Sequence, residues 1–139
     1  MELWGVLLGA AIAGLFAFVG HYYNRRTEHR QWLRGERQEL YKRFITHYQH
    51  MDLLITESES RRWEMTDGLT EWPLFPSQEY ILLCPKRTSD GILQTVNLIV
   101  LLRDDIAQGK PPERLARRRR EARKIYEIAV RAMKQDLGT

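Results

Sequence analysis

Residues 3 to 20, Leu-Trp-Gly-Val-Leu-Leu-Gly-Ala-Ala-Ile-Ala-Gly-Leu-Phe-Ala-Phe-Val-Gly, run without a single charged side chain. A helix rises about 1.5 Å per residue, so this run reaches about 27 Å, close to the depth of a bilayer's hydrocarbon core. No other stretch of the chain combines that length with that composition. Trp4 on one side and Tyr22 and Tyr23 on the other bracket the run, at the spacing of the two aromatic belts of a membrane helix. A transmembrane helix is therefore expected, and it decides the organisation of everything after it.

Its direction follows from charge. Glu2 precedes the run, while Arg25, Arg26, Arg30, Arg34 and Arg37 follow at once. A secretory signal carries its basic residues first and a small-x-small cleavage site after, and neither is present here. No cysteine stands near the end of the run to take a lipid. The positive-inside rule places the Arg-rich flank in the cytoplasm, with the N-terminus outside and only a couple of residues there. The expected location is the cytoplasmic (inner) membrane, crossed once. Within the run, Gly5, Gly9, Ala13 and Ala17 recur at every fourth position on one helix face, the small-xxx-small pattern through which membrane helices associate. A homo-oligomer is an expected partner on that account, beside membrane lipid itself.

From His21 to about Trp63 there is no proline and one glycine, Gly35, so a long helix is expected to continue from the anchor. Leu33, Leu40, Phe44, Tyr48, Met51 and Ile55 recur at three-, four- and seven-residue intervals and define one stripe. Residues 24 to 32 lack that stripe and read as a charged stalk. Gly68, Pro73 and Pro76 break the pattern into a turn or loop, and Ser77 is placed to open a short helix that Pro85 ends, with strand as the alternative for residues 78 to 84. Ser89 or Asp90 begins another helix, with Ile92, Val96, Ile99, Leu102 and Ile106 on one face and apolar residues nearly all round, the pattern of a buried central helix. Gly109, Pro111 and Pro112 stop it. The last helix runs from about Pro112 to Leu137, its inward stripe being Leu115, Ala122, Ile125, Ala129, Ala132 and Met133.

The fold class read from this is all-α. A transmembrane anchor at residues 1–23 and a charged helical stalk at 24–39 precede a cytoplasmic antiparallel bundle of three long helices and one short one at 40–139. Helices joined by short turns alternate direction, which is the reason for expecting the antiparallel order.

The stretch Trp32-Leu33-Arg34-Gly35-Glu36-Arg37-Gln38-Glu39-Leu40-Tyr41-Lys42-Arg43-Phe44 after a basic flank, and the ending Ala132-Met133-Lys134-Gln135-Asp136-Leu137-Gly138, resemble a group of uncharacterised small single-span membrane proteins of high-GC Gram-positive bacteria and their phages. Gly35 departs from the helix former usual in that group. The resemblance implies a membrane-anchored helical domain and raises a phage or prophage factor acting at the host envelope. It brings no catalytic residue or substrate.

At 139 residues and a formal charge of +4, the chain has room for one modest core beyond the anchor, not for two domains with a cleft between them. The basic residues are overwhelmingly arginine, as a GC-rich coding sequence produces without functional cause. Cys84 is the single cysteine, which excludes an intramolecular disulfide and a thiolate zinc site and fits a reducing compartment. Beside Pro85 and without a His–acid relay, it reads as an inert buried thiol. His47 and His50 share a helix face, but ligands from several helices are needed for a metal and the other histidines are His21 and His29. No catalytic residue, metal or cofactor is expected, and no enzyme.

The sharpest charge feature is Arg117 to Arg120, extended by Arg114, Arg123 and Lys124. Four consecutive residues cover a helix's full circumference, so Arg118 or Arg119 must fall between Leu115 and Ala122 on the inward stripe and pair with an acid, for which Asp104 and Asp105 are placed. The candidate anion-binding set is Arg25, Arg26, Arg30, Arg34, Arg117, Arg118, Arg120 and Arg123, facing anionic lipid or nucleic acid. With alternating helices the Arg block opens the last helix at its membrane-facing end, yet an upright stalk holds it beyond a Debye length of ~8 Å from lipid unless the stalk lies down at Gly35. Trp72, Pro73, Leu74 and Phe75 are expected to fold back over an end of the bundle, the alternative being an exposed tip for a protein partner. The function expected is a membrane-anchored helical scaffold or interaction protein, with a membrane-tethered binder of nucleic acid or anionic lipid as the alternative.

Overall fold

A computed structural model describes residues 2–72 and 74–138, with side chains from residue 5 onward. The belt position expected of the Trp4 side chain and the loop role expected of Pro73 lie outside the described residues. Every regular element described is helical: α1 Glu2–Ser60, α2 Asp67–Thr70, α3 Ser77–Leu83, α4 Lys86–Ala107 and α5 Pro112–Leu137, with no strand among the described residues. Residues 78 to 83 are thus helix. The chain divides into two compact units, residues 1–36 and 37–139.

The first unit is the N-terminal part of α1. From Gly5 to Gln31 every residue is exposed, and Leu33 is half-buried. This is the one described helix long and apolar enough to cross a membrane.

In the second unit, α1 presents Leu40, Tyr41, Phe44, Tyr48, Met51, Ile55 and Ser58 inward, the expected stripe with Tyr41 and Ser58 added. The helix stops at Ser60, three residues before the expected end. Arg62 and Trp63 adopt left-handed backbone (φ 60° and 65°), so the Trp63 N–H turns back to the Ser58 carbonyl at 2.7 Å. Ser58 Oγ, fully buried, donates to the Glu64 carbonyl at 2.7 Å and ties down the chain that leaves.

α4 begins at Lys86, directly after Pro85, rather than at Ser89 or Asp90. The Pro85 carbonyl accepts from the N–H groups of both Thr88 and Ser89, so the proline that ends α3 also starts α4. The helix is less enclosed than its composition suggests: Ile92, Ile99, Leu102 and Ile106 are buried, Leu93, Val96, Leu98 and Val100 half-buried, and Leu101 exposed. α5 spans its expected length. Pro112 sits in its first turn, and Gly138 closes it with φ 73° and an N–H turned back to the carbonyls of Lys134 and Gln135.

α4 and α5 approach closely because small residues meet there. A Cβ at Gly91 would stand 3.2 Å from that of Ala129. α1 instead meets the other helices through large side chains, Phe44 and Tyr48 both reaching the Tyr126 ring, the latter stacked on it at 3.7 Å.

Two apolar clusters show the helix directions. Leu40, Tyr41 and Phe44 of α1 share one cluster with Tyr80, Ile92 at the start of α4, and Ala129 and Met133 near the end of α5. Tyr48, Met51 and Ile55 share the other with Ile99, Leu102 and Ile106, and with Leu115 and Ala122 of early α5. In this unit α1 and α4 therefore run the same way and α5 runs against both. Strict alternation, expected from short turns, does not hold between α1 and α4. The physical reason is the connection: residues 61–85 travel back along the unit, dropping Leu69 and Trp72 onto the second cluster and Phe75 and Tyr80 onto the first. The Arg block accordingly opens α5 beside Ile55 and Ile106, at the opposite end of the unit from Leu40, and not at the Leu40 end as alternating helices require.

Candidate functional site

Two features were candidates for function: the uncharged face of the first unit and the arginines. Gly5, Gly9, Ala13 and Ala17 all lie exposed on α1, and a Cβ built at Gly5 or Gly9 meets nothing within 4 Å. No group among the described residues requires those two glycines to be small. Around them Val6, Leu7, Leu8, Ile12, Leu15, Phe16, Phe18 and Val19 are between 43% and 75% exposed.

The arginines separate into two sets. Arg118 Nε stands 2.8 Å from Asp105 Oδ2 but off the line of its N–H, and Arg114 Nε lies 3.4 Å from the same oxygen, so Asp105 holds two guanidiniums as ion pairs. Asp105, not Asp104, is the partner, because Asp105 faces inward on α4 while Asp104 is exposed. Arg119 reaches across to α1, where it donates to Asp52 at 3.1 Å, to Thr56 Oγ1 at 2.7 Å and to Glu59; its Nε is buried without a hydrogen-bond partner. Arg123 lies 3.8 Å from the other Asp52 oxygen. Of the expected anion-binding set, Arg118 and Arg123 are thus engaged by carboxylates of the same unit. Both Arg118 and Arg119 fall in the gap of the stripe, where one was required.

Arg117 and Arg120 are exposed, with no carboxylate partner among the described residues, as are Arg25, Arg26 and Arg30; Arg34 is exposed. Arg120 opens into a cleft of about 240 Å³ with Arg119, Arg123, Ala116 and Glu59. Arg25, Arg26, Arg30 and Arg34 lie along α1, and Arg117, Arg118, Arg120 and Arg123 along α5.

A third constellation went unread. Arg37 donates through Nε to the Leu83 carbonyl at 2.6 Å and through Nη1 to Asp136 at 3.1 Å, and Tyr41 Oη donates to the other Asp136 oxygen at 2.5 Å. Burial, and then the Asp136 hydrogen bond, raise the Tyr41 phenol well above its usual range. The one trace in the sequence is that Arg37 stands a helical turn ahead of Tyr41 on the inward stripe.

Comparison with family models, curated proteins and solved structures yields no match.

Chemistry must therefore be read from the residues. Burial raises the Cys84 thiol, the direction opposite to nucleophile activation. His47 packs its ring on Phe75 at 5.1 Å, and burial followed by the neighbouring His50 lowers its pKa. The loop cluster is divided: Trp72 packs under Arg103, whose guanidinium lies 5.7 Å from its ring, and Phe75 packs on Phe44 and Tyr80, while Leu74 is 96% exposed. These residues line the flank of the unit along the returning connection rather than an end.

Proposed function

We propose that the protein is a non-enzymatic, single-span membrane scaffold whose packed helices, residues 37–139, form a bundle presented in the cytoplasm. The observation that carries this is the contrast within α1. One continuous helix leaves eight large apolar side chains exposed before Gly20, and in its second half buries every residue of its core stripe from Leu40 onward.

Magnitude supports the lipid reading. Covering a large apolar side chain is worth about 1.5–3 kcal/mol, so those eight leave on the order of 10–20 kcal/mol unrealised in water. That is comparable with the whole stability of an ordinary domain, about 5–15 kcal/mol. A bilayer realises it at once, and the arginines after Gly20 favour the orientation with the N-terminus outside. Self-association through Gly5, Gly9, Ala13 and Ala17 belongs to the same proposal, supported by the empty space beside those glycines.

The scaffold reading stands ahead of anion binding because Arg114, Arg118, Arg119 and Arg123 are held by Asp52, Glu59 and Asp105. A narrower second reading, phosphate binding of nucleic acid or lipid by Arg117 and Arg120, is favoured by their exposure without a carboxylate. It predicts salt-sensitive retention on DNA that Arg117→Gln with Arg120→Gln abolishes.

The test of the first reading is carbonate extraction of the full chain from membranes, together with a reporter at the C-terminus. Retention in lipid with a reporter shielded from outside is expected; release of the protein, or an externally accessible reporter, overturns it. Crosslinking supplies the oligomer arm: dimer bands that vanish with Gly9→Leu and Ala13→Leu are expected, and a monomer in both proteins removes self-association.

A further inference from the structure

On α5, Ala116, Arg119, Arg120 and Arg123 follow one another at three- and four-residue spacing and so share a face. Ala116 is the short member of that face. It forms the half-buried floor of the cleft of about 240 Å³, which Glu59 of α1 walls on the other side.

The guanidiniums around this cleft are held to different degrees. Arg119 is half-buried and bonded to Asp52, Thr56 and Glu59, while its Nε has no hydrogen-bond partner, so its donors are not all spent. Arg123 lies 3.8 Å from Asp52, an acid it shares with Arg119. Arg120 has no carboxylate among the described residues. The helix neighbours that a side chain at 120 meets are Ala116, Arg117, Arg123 and Lys124, three cations and no acid; Glu121, next in sequence, does not face it. Like charges at those spacings repel, and an anion in the cleft relieves them. In the lining three cations stand against one carboxylate, and that carboxylate is already bonded to Arg119. The wall is therefore positive and, through Arg119, fixed before any ligand arrives, which lowers the ordering cost of binding.

Resting on the second reading above, that Arg120 meets phosphate, we propose that this cleft is a site for the phosphoryl group of a small soluble molecule. Guanidinium forks match phosphoryl oxygens in pairs, so Arg120 and Arg123 bracket the group while Arg119 stays bound to α1 and holds the wall. Size selects a compact group: the cleft is smaller than the roughly 300–1,000 Å³ of sites that enclose a whole drug-sized ligand. Position selects against a polymer, because a nucleic-acid backbone running along this helix face engages Arg117 and Lys124, which lie outside the lining.

The experiment is calorimetric titration of the full chain, in uncharged detergent micelles at low salt, with glycerol 3-phosphate and with inorganic phosphate. Saturable uptake of one ester per chain, displaced by inorganic phosphate, is expected. Arg120→Gln is expected to weaken it about tenfold or more, as the loss of a charge-assisted hydrogen bond does. Ala116→Leu fills the floor without altering charge and is expected to weaken it likewise. Arg131→Gln, an equal loss of charge at an exposed residue outside the lining, is expected to leave it unchanged. If Ala116→Leu lowers the helical melt, exposed Arg120→Gln carries the test with Arg131→Gln as its control. Titration that never saturates, ester that inorganic phosphate does not displace, or uptake that Arg120→Gln leaves intact or Arg131→Gln lowers equally, overturns the cleft. DNA retention that persists in that case leaves the second reading standing, and loss of both removes it as well.

Discussion

Asp105 is 7% exposed and sits between the guanidiniums of Arg114 and Arg118. Removing a half-buried cation's partner leaves the cation desolvated, so Asp105→Ala is expected to cost about 1–3 kcal/mol in denaturant unfolding of the full chain. Arg120→Gln, at an exposed residue without a carboxylate, is expected to stay within about 0.5 kcal/mol; equal effects would mean that the ion pairs carry no stability. His47 gives a pH dependence. Because its folded pKa lies below the ordinary 6.5, its stabilising share is complete above pH 6.5 and is lost as pH falls through the folded value. Melting temperature measured against pH should fall in that window, less steeply in His47→Gln. Within the Arg block, a residue was required inside the stripe because four neighbours encircle a helix. Which carboxylates would meet it was not legible, since Asp52 and Glu59 stand some sixty residues away in the chain.

α4 and α5 meet where Gly91 faces Ala129. Gly91→Val forces methyl groups into a contact already at 3.2 Å and is expected to cost about 1–3 kcal/mol. Gly91→Ala should come out near neutral, helix propensity of about 1 kcal/mol offsetting the crowding. Comparing the two melts checks the packing, and a harmless valine would refute it. Element boundaries were readable wherever a residue's own covalent geometry sets them, as Pro112 and Gly138 do for α5. They were missed where partners set them: α1 stops at Ser60 through two left-handed residues that are not glycine, and α4 starts after Pro85 rather than at a polar cap.

The two units differ in what completes them. The apolar clusters of the second unit are built from residues of that unit, one from Leu40 onward and the other from Tyr48 onward. Deleting residues 1–20 is therefore expected to leave the cooperative helical melt of the remainder within a few degrees of the full chain's in detergent, and to abolish retention in lipid. Loss of the cooperative transition would show that residues 1–20 are needed for folding.

Periodicity and composition sufficed for the all-helical class, for the uncharged run at residues 3 to 20 and for nearly every core position, because these depend on spacing along one helix. Direction and pairing were decided only in three dimensions. The returning connection sets α4 parallel to α1 and carries the Arg block away from Leu40. A sequence specifies which face of a helix avoids water, but where that face finds cover depends on how far the connecting segment travels, and no local pattern encodes that distance.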